Sequence, residues 1–211
     1  MRFLPAAAAI CLLSGCSTMQ QQLSREGALI DSNARDWQAV ATPEDRVRLR
    51  DWRSSFVEGL GDARRSGAGP KIAAEGALLA PDAALPGPAI PNGTYSCRIT
   101  KLGARGSGAL DYIAYPPFLC RVRPERGLQG FAKLNGSQRQ VGLIFPVDAL
   151  RSVFLGTLML GDENRALQYG GDPDRDVAGY VERIGPRRWR MILPRPAFES
   201  KIDIIELSPL P

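Results

Sequence analysis

Few residues in this 211-residue chain could do chemistry, and one type is missing altogether: there is no histidine. Ser–His–Asp and Cys–His catalysis need an imidazole to take up the proton, so their usual forms are excluded. Histidine-bound zinc goes with them. Asp172, Asp174 and Asp176 stand at alternate positions, as the first ligands of a calcium loop do. Val177 then occupies the place where such a loop turns on glycine, and Arg183 the place of its bidentate glutamate. The segment therefore reads as a turn, stabilised by Asp and Pro with Arg175 as local counterion. Glu163, Asp176, Glu182 and Glu199 could supply paired carboxylates for glycoside hydrolysis, which needs a separation of roughly 5 to 9 Å. Nothing in the sequence brings two of them that close. No phosphate-binding loop is present, and Gly103-Ala-Arg-Gly106-Ser-Gly108 lacks the spacing of a dinucleotide fingerprint. No catalytic residue, metal or cofactor is implied.

Recognition has better candidates. Asn135-Gly-Ser-Gln-Arg139 forms a polar turn after Lys133, and Tyr169-Gly-Gly-Asp172 and Pro196-Ala-Phe-Glu-Ser200 are similarly rich. If these lie at one end of a barrel, Lys133, Ser137, Gln138, Arg139, Tyr169 and Glu199 line its mouth, where barrels bind ligands. Glycine and asparagine are also what tight hairpins require, so both readings stand.

The N-terminus explains most of the cysteine usage. Arg2 precedes an apolar run from Phe3 to Leu13, the layout of a secretory signal and too short to span a bilayer. Leu13-Ser14-Gly15-Cys16 resembles the lipobox of bacterial lipoproteins. That resemblance implies cleavage before Cys16 and acylation of its sulfur and amine. Each buried methylene contributes about 0.8 kcal/mol, so several chains form a durable anchor. Ser17 follows in place of the aspartate that signals inner-membrane retention. The implied location is the outer membrane, with the protein facing the periplasm. Cys11 leaves with the signal, so Cys97 and Cys120 remain. In an oxidising envelope they most simply form one disulfide, whose loop of about 24 residues contributes roughly 3 kcal/mol. The alternative, a reactive thiol, would have no histidine to activate it.

The elements that must position these groups follow from pattern. The net charge of +5 is spread among alternating basic and acidic residues, which disfavours a nucleic-acid partner. Residues 16–35 are polar and glutamine-rich, as a lipidated flexible stalk after the 1–15 signal would be. Residues 36–80 carry helix signals: Thr42 as N-cap, Pro43 at the first position, Glu44 and Asp45 in the first turn. Leu49, Trp52, Phe56, Leu60 and Ala63 then give one apolar stripe, expected to pack on the rest of the chain. A short helical piece is expected from Ile72 to Leu79. The Pro-rich stretch 81–93 reads as a connector.

From residue 94 to 211 the period becomes two. Strands are expected at Thr94–Leu102, Phe118–Arg123, Leu128–Lys133, Gln140–Phe145, Ser152–Leu160, weakly Ala166–Tyr169, then Val177–Ile184, Arg188–Leu193 and Lys201–Leu207. Short turns make them antiparallel, and that number rolls into a barrel or sandwich. Strand parity would put Tyr95, Cys97 and Ile99 on one face and Phe118, Cys120 and Val122 on another. Gly93-x-Tyr95-x-Cys97 with a later hairpin cysteine resembles small periplasmic barrels related to lipocalins, among them inhibitors of secreted metalloproteases. The fold class is thus α+β, mainly β: a helical segment on an up-and-down, calycin-type barrel of about eight strands.

Asp51-Trp52-Arg53, Ala73-Ala-Glu-Gly76, Tyr95-Ser-Cys-Arg98, Lys133 to Arg139, Phe154-Leu-Gly-Thr-Leu158 and Phe198-Glu-Ser200 resemble one family of bacterial lipoproteins known only as a domain of unknown function. That resemblance brings no activity, cofactor or catalytic residue. The expected function is a non-enzymatic envelope lipoprotein whose barrel binds a small ligand or a protein partner. The alternatives are a structural or assembly factor without a small ligand, working through the Trp52 helix face or the outer barrel, and a carboxylate-based hydrolase of envelope polymers.

Overall fold

A computed structural model describes residues 30, 35–161 and 163–210; Cys16, the 1–15 signal and most of the 16–35 stalk lie outside them. The helical segment comprises α1 (Trp37–Val40), α2 (Pro43–Arg50), α3 (Trp52–Arg65) and α4 (Gly69–Glu75), followed by a 3-10 turn, Gly76–Leu79. Thr42 caps α2 as expected, its hydroxyl accepting the Asp45 N–H at 3.2 Å. The stripe, however, does not lie on one helix. Asp51 (φ −91°, ψ 10°) ends α2 and begins α3. Leu49 packs with Phe145 and Leu155 on one side of the body, whereas Trp52, Phe56, Leu60 and Ala63 pack with Ile192, Ile202 and Ile204. A straight helix cannot follow both faces of a curved sheet, and the break lets the stripe turn. α4 starts at Gly69, earlier than the expected Ile72, because Pro70 serves its first turn.

The remainder is strands β1 (Gly93–Ala104), β2 (Tyr112–Ala114), β3 (Phe118–Glu125), β4 (Leu128–Lys133), β5 (Gln138–Pro146), β6 (Arg151–Leu160), β7 (Asp176–Gly185), β8 (Arg188–Pro194) and β9 (Ser200–Pro209). All neighbours are antiparallel, and β9 returns to pair with β1, closing the sheet. β2 and β3 share one edge of β1, with Ala114 opposite Thr100 and Phe118 opposite Cys97. They are two halves of one barrel strand, interrupted at Pro116-Pro117, which have no N–H to give the ladder. The barrel therefore counts eight strands. Residues 166–169 form no strand; they belong to the β6–β7 loop, where the Tyr169 hydroxyl bonds to Asp45 on α2.

Alternation decides what fills the lumen. Tyr95, Cys97, Cys120, Phe131, Phe154, Trp189 and Leu207 belong to one buried cluster on the inward positions. Trp189 meets Tyr95 edge-on at 6.0 Å between ring centroids, and Phe131 meets Phe154 at 5.7 Å. Cys97 and Cys120 form a disulfide across the β1–β3 pairing with Cα atoms 5.8 Å apart. An eight-stranded barrel is just wide enough for such side chains to fill. At one end Ile90 of the connector, 1% exposed, closes the lumen, with its carbonyl accepting from Gln129 Nε2 at 2.6 Å.

Outward positions of β8 and β9 carry the helices, which is why those strands read as nearly continuous apolar runs. Among them sits a fully buried ion pair, Arg190 Nη2 to Glu182 Oε2 at 2.6 Å. Arg190 also donates to the carbonyls of Ala77, Leu78, Ala80 and Pro81 at 2.7–3.0 Å. It thereby satisfies the end of the 3-10 turn that the helix itself leaves unpaired. Arg151, 4.5 Å above the Trp52 ring, takes the other Glu182 oxygen. Removing Arg190 would strand a buried carboxylate and several carbonyls. Arg190→Met is expected to cost about 3–5 kcal/mol in denaturant unfolding, and Arg190→Met with Glu182→Met less than the single change; an unshifted midpoint for the single variant would contradict this.

Candidate functional site

Antiparallel order gathers four connections, 105–111, 134–137, 161–175 and 195–199, at the end opposite Ile90. The inward positions here change from apolar to polar. On β1, Lys101 continues the series Tyr95, Cys97, Ile99, and on β9 Asp203 begins the series Ile205, Leu207. They are direct cross-strand partners, Lys101 Nζ lying 3.0 Å from Asp203 Oδ2. Glu199 adds a second carboxylate 3.1 Å from the same nitrogen. Gln138 accepts from Lys101 at 3.3 Å and donates to Glu199 Oε1 at 3.2 Å. The Ser200 hydroxyl donates to Asp203 Oδ1. Burial alone would lower the Lys101 pKa, but Asp203 and then Glu199 outweigh it and hold the ammonium above its ordinary value. The loop that delivers Glu199 is strained: Glu199 (φ 69°) and Arg195 (φ 47°) both adopt the left-handed region.

Lys133 faces inward beside this cluster and is 3% exposed. Its ammonium donates to the Asn135 and Gln138 carbonyls, each at 2.8 Å, and sits 3.7 Å from the Phe118 ring centroid. The Asn135-Gly136 turn wraps it so closely that a Cβ on Gly136 would lie 2.6 Å from Nζ. Burial pushes the Lys133 amine down to about 8, with Arg139 and Lys101 adding like charge.

The structure thus brings Lys133, Gln138 and Glu199 together at the mouth. Ser137 lies exposed at the tip of its turn, and Arg139 points outward, donating to the Gly161 carbonyl at 3.0 Å and the Glu163 carbonyl at 2.5 Å. Tyr169 stands apart from the cluster. Its hydroxyl donates to Asp45 Oδ2 at 2.6 Å and accepts the Thr42 N–H at 3.2 Å, tying α2 to the barrel. Burial beside Asp45 drives that phenol well above its ordinary value. The turns do not point to Lys101, Gln140 and Asp203, although polar residues at inward positions of apolar strands are a readable signal.

The other carboxylates are neutralised separately. Glu182 lies under the helices with Arg190 and Arg151, and Glu163 pairs with Arg175. Asp172 forms the expected turn, its side chain accepting the Asp174 N–H at 3.0 Å and its carbonyl the N–H of Arg175 and of Asp176. Arg175 serves Glu163 and the Leu158 carbonyl, not the aspartates of its own turn. Among the described residues no group of three or more acidic, Cys or His side chains is arranged to hold a metal ion.

The cluster lines a niche of about 20 Å³, room for one water-sized group, between Lys101, Gln140, Asp176, Phe198 and Asp203. Donors and acceptors facing so small a space can recognise the tip of a polar group and little more. A family model described as a domain of unknown function (DUF4893) matches residues 37–207. No curated protein matches the chain, and no solved structure does.

The Lys133 environment makes a pH prediction. Its amine falls from 10.5 to about 8 on folding, so between these values the unfolded chain binds the extra proton. The Lys133 contribution to stability therefore rises as pH climbs through that window. In a nitrogen-detected NMR titration of the four lysines, one resonance should titrate near pH 8 and vanish in Lys133→Met. No lysine titrating in that range would contradict the assignment.

Proposed function

This chain belongs to the family described as a domain of unknown function (DUF4893), and we propose that it is a non-enzymatic outer-membrane lipoprotein, anchored through Cys16 and facing the periplasm, that presents its barrel mouth to a protein partner. One observation carries the choice of a protein over a lumenal ligand. Among the described residues the lumen is occupied by rings, aliphatics and the disulfide, and the niche at its mouth measures about 20 Å³. A site for a drug-sized molecule is a cleft of roughly 300–1,000 Å³.

The rim supports the same reading. Each of the four loops at this end exposes one large apolar side chain: Leu110, Leu134, Leu167 and Phe198. Exposed apolar side chains gathered at one end of the barrel suit a protein contact. The stripe on α2 and α3 is consumed by packing, which leaves the mouth as the better interface. Arg35 lies against the Gly127 turn, at the end away from the mouth.

Native mass spectrometry of the acylated protein, extracted from membranes in mild detergent, tests the reading. It is expected to show a complex with a second polypeptide and no lumenal small-molecule adduct; an apolar adduct on the lone chain would overturn it. Cys16→Ala should abolish metabolic labelling with palmitate, and undiminished labelling would refute the anchor.

A further inference from the structure

We propose that the mouth niche is a receptor for a primary ammonium group, the tip of a lysine side chain or a free amine. This deepens the partner-binding reading and names the chemistry of its centre. The starting point is Gln140. It faces inward on β5 opposite Leu158, is 3% exposed, and lines the niche. Its Oε1 is buried with no hydrogen-bond partner. A buried, unpaired acceptor costs about 1–3 kcal/mol, and a donor supplied from outside would relieve that cost.

The charge around it selects the donor. Asp174, Asp176 and Asp203 line the niche against a single ammonium, Lys101. Lys101 is committed to Asp203, Glu199 and Gln138. Asp176 is buried at the start of β7, where one carboxylate oxygen accepts the Gly170 N–H at 2.9 Å, and Asp174 is exposed at the rim. An anion would meet excess negative charge and an acceptor with nothing to accept. A cation with N–H groups meets complementary charge and Gln140 Oε1. Size narrows the class further, since room for one water-sized group takes an –NH3⁺ tip but neither a ring nor a quaternary ammonium. Phe198 at the entrance offers a ring for the charge or the stem that carries it.

The test is a nitrogen–proton NMR titration of the mature lipoprotein in detergent, following the side-chain amides of Gln138 and Gln140. The probes are methylammonium, Nα-acetyl-lysine methylamide and tetramethylammonium chlorides at constant ionic strength. Methylammonium and the lysine derivative should give saturable shifts at both amides, and tetramethylammonium none. Tighter binding of the lysine derivative assigns the site to a partner's side chain; equal binding assigns it to free amines. Gln140→Leu should weaken binding at least tenfold. Gln140→Glu, which keeps the acceptor and adds charge, should strengthen it and guards against a Leu variant that folds poorly. No saturable shift, or equal shifts with tetramethylammonium, would overturn the proposal while leaving a partner seen in native complexes intact.

Discussion

The pairing of β1 with β9 closes the sheet, running from Tyr95 opposite Pro209 to Ala104 opposite Ser200. Closure at eight strands fixes a narrow lumen, and a narrow lumen must be filled or it becomes a void. Trp189, Tyr95, Phe131 and Phe154 fill it, with the Cys97–Cys120 disulfide among them. Closure also curves the outer face, which α2 and α3 cover only by breaking at Asp51. Glycines meet the same demand inside. Gly142 and Gly156 face each other across β5 and β6, where an added Cβ would lie 2.2–2.3 Å from the partner strand's carbonyl oxygen. The strands approach there more closely than any side chain allows.

The ends of such a barrel cannot be alike. Ile90 caps one, whereas the other must face water, and its inward positions become lysine, glutamine and aspartate. A polar end would be costly if its charges were unpaired. Lys101, Asp203, Glu199 and Gln138 pair among themselves, and Lys133 finds carbonyls and a ring. Gln140 Oε1 is left over. A paired set of charges thus surrounds one inward acceptor, Gln140 Oε1, that could take a donor from outside. It demands little of the lumen and much of the loops.

Much of this was legible in the sequence because alternation is strong where one face is buried. The long strands were read within a few residues, and parity placed Cys97 and Cys120 together among apolar neighbours. Two features of the sheet escaped. β2 is three residues long and hidden before a proline pair, too short to show a period. The 166–169 segment looks like a strand because Leu167 and Tyr169 alternate, but Tyr169 is held by Asp45, a contact 124 residues away. The candidate site was half visible for a related reason. Turn-rich segments point to loops, so Lys133, Gln138 and Glu199 were found from their turns. Lys101 and Asp203 sit mid-strand, and only the pairing of the first strand with the last joins them.

Photo-cross-linking in intact cells most directly tests the claim that a filled barrel offers its mouth to a protein. The cross-linker is placed at Leu134 or Phe198 in the mouth loops and at Val147 or Leu150 at the opposite end, all exposed. The account predicts one and the same polypeptide captured from both mouth positions and none from the other two. Capture from Val147 and Leu150 alone, or from no position at native expression, would contradict it.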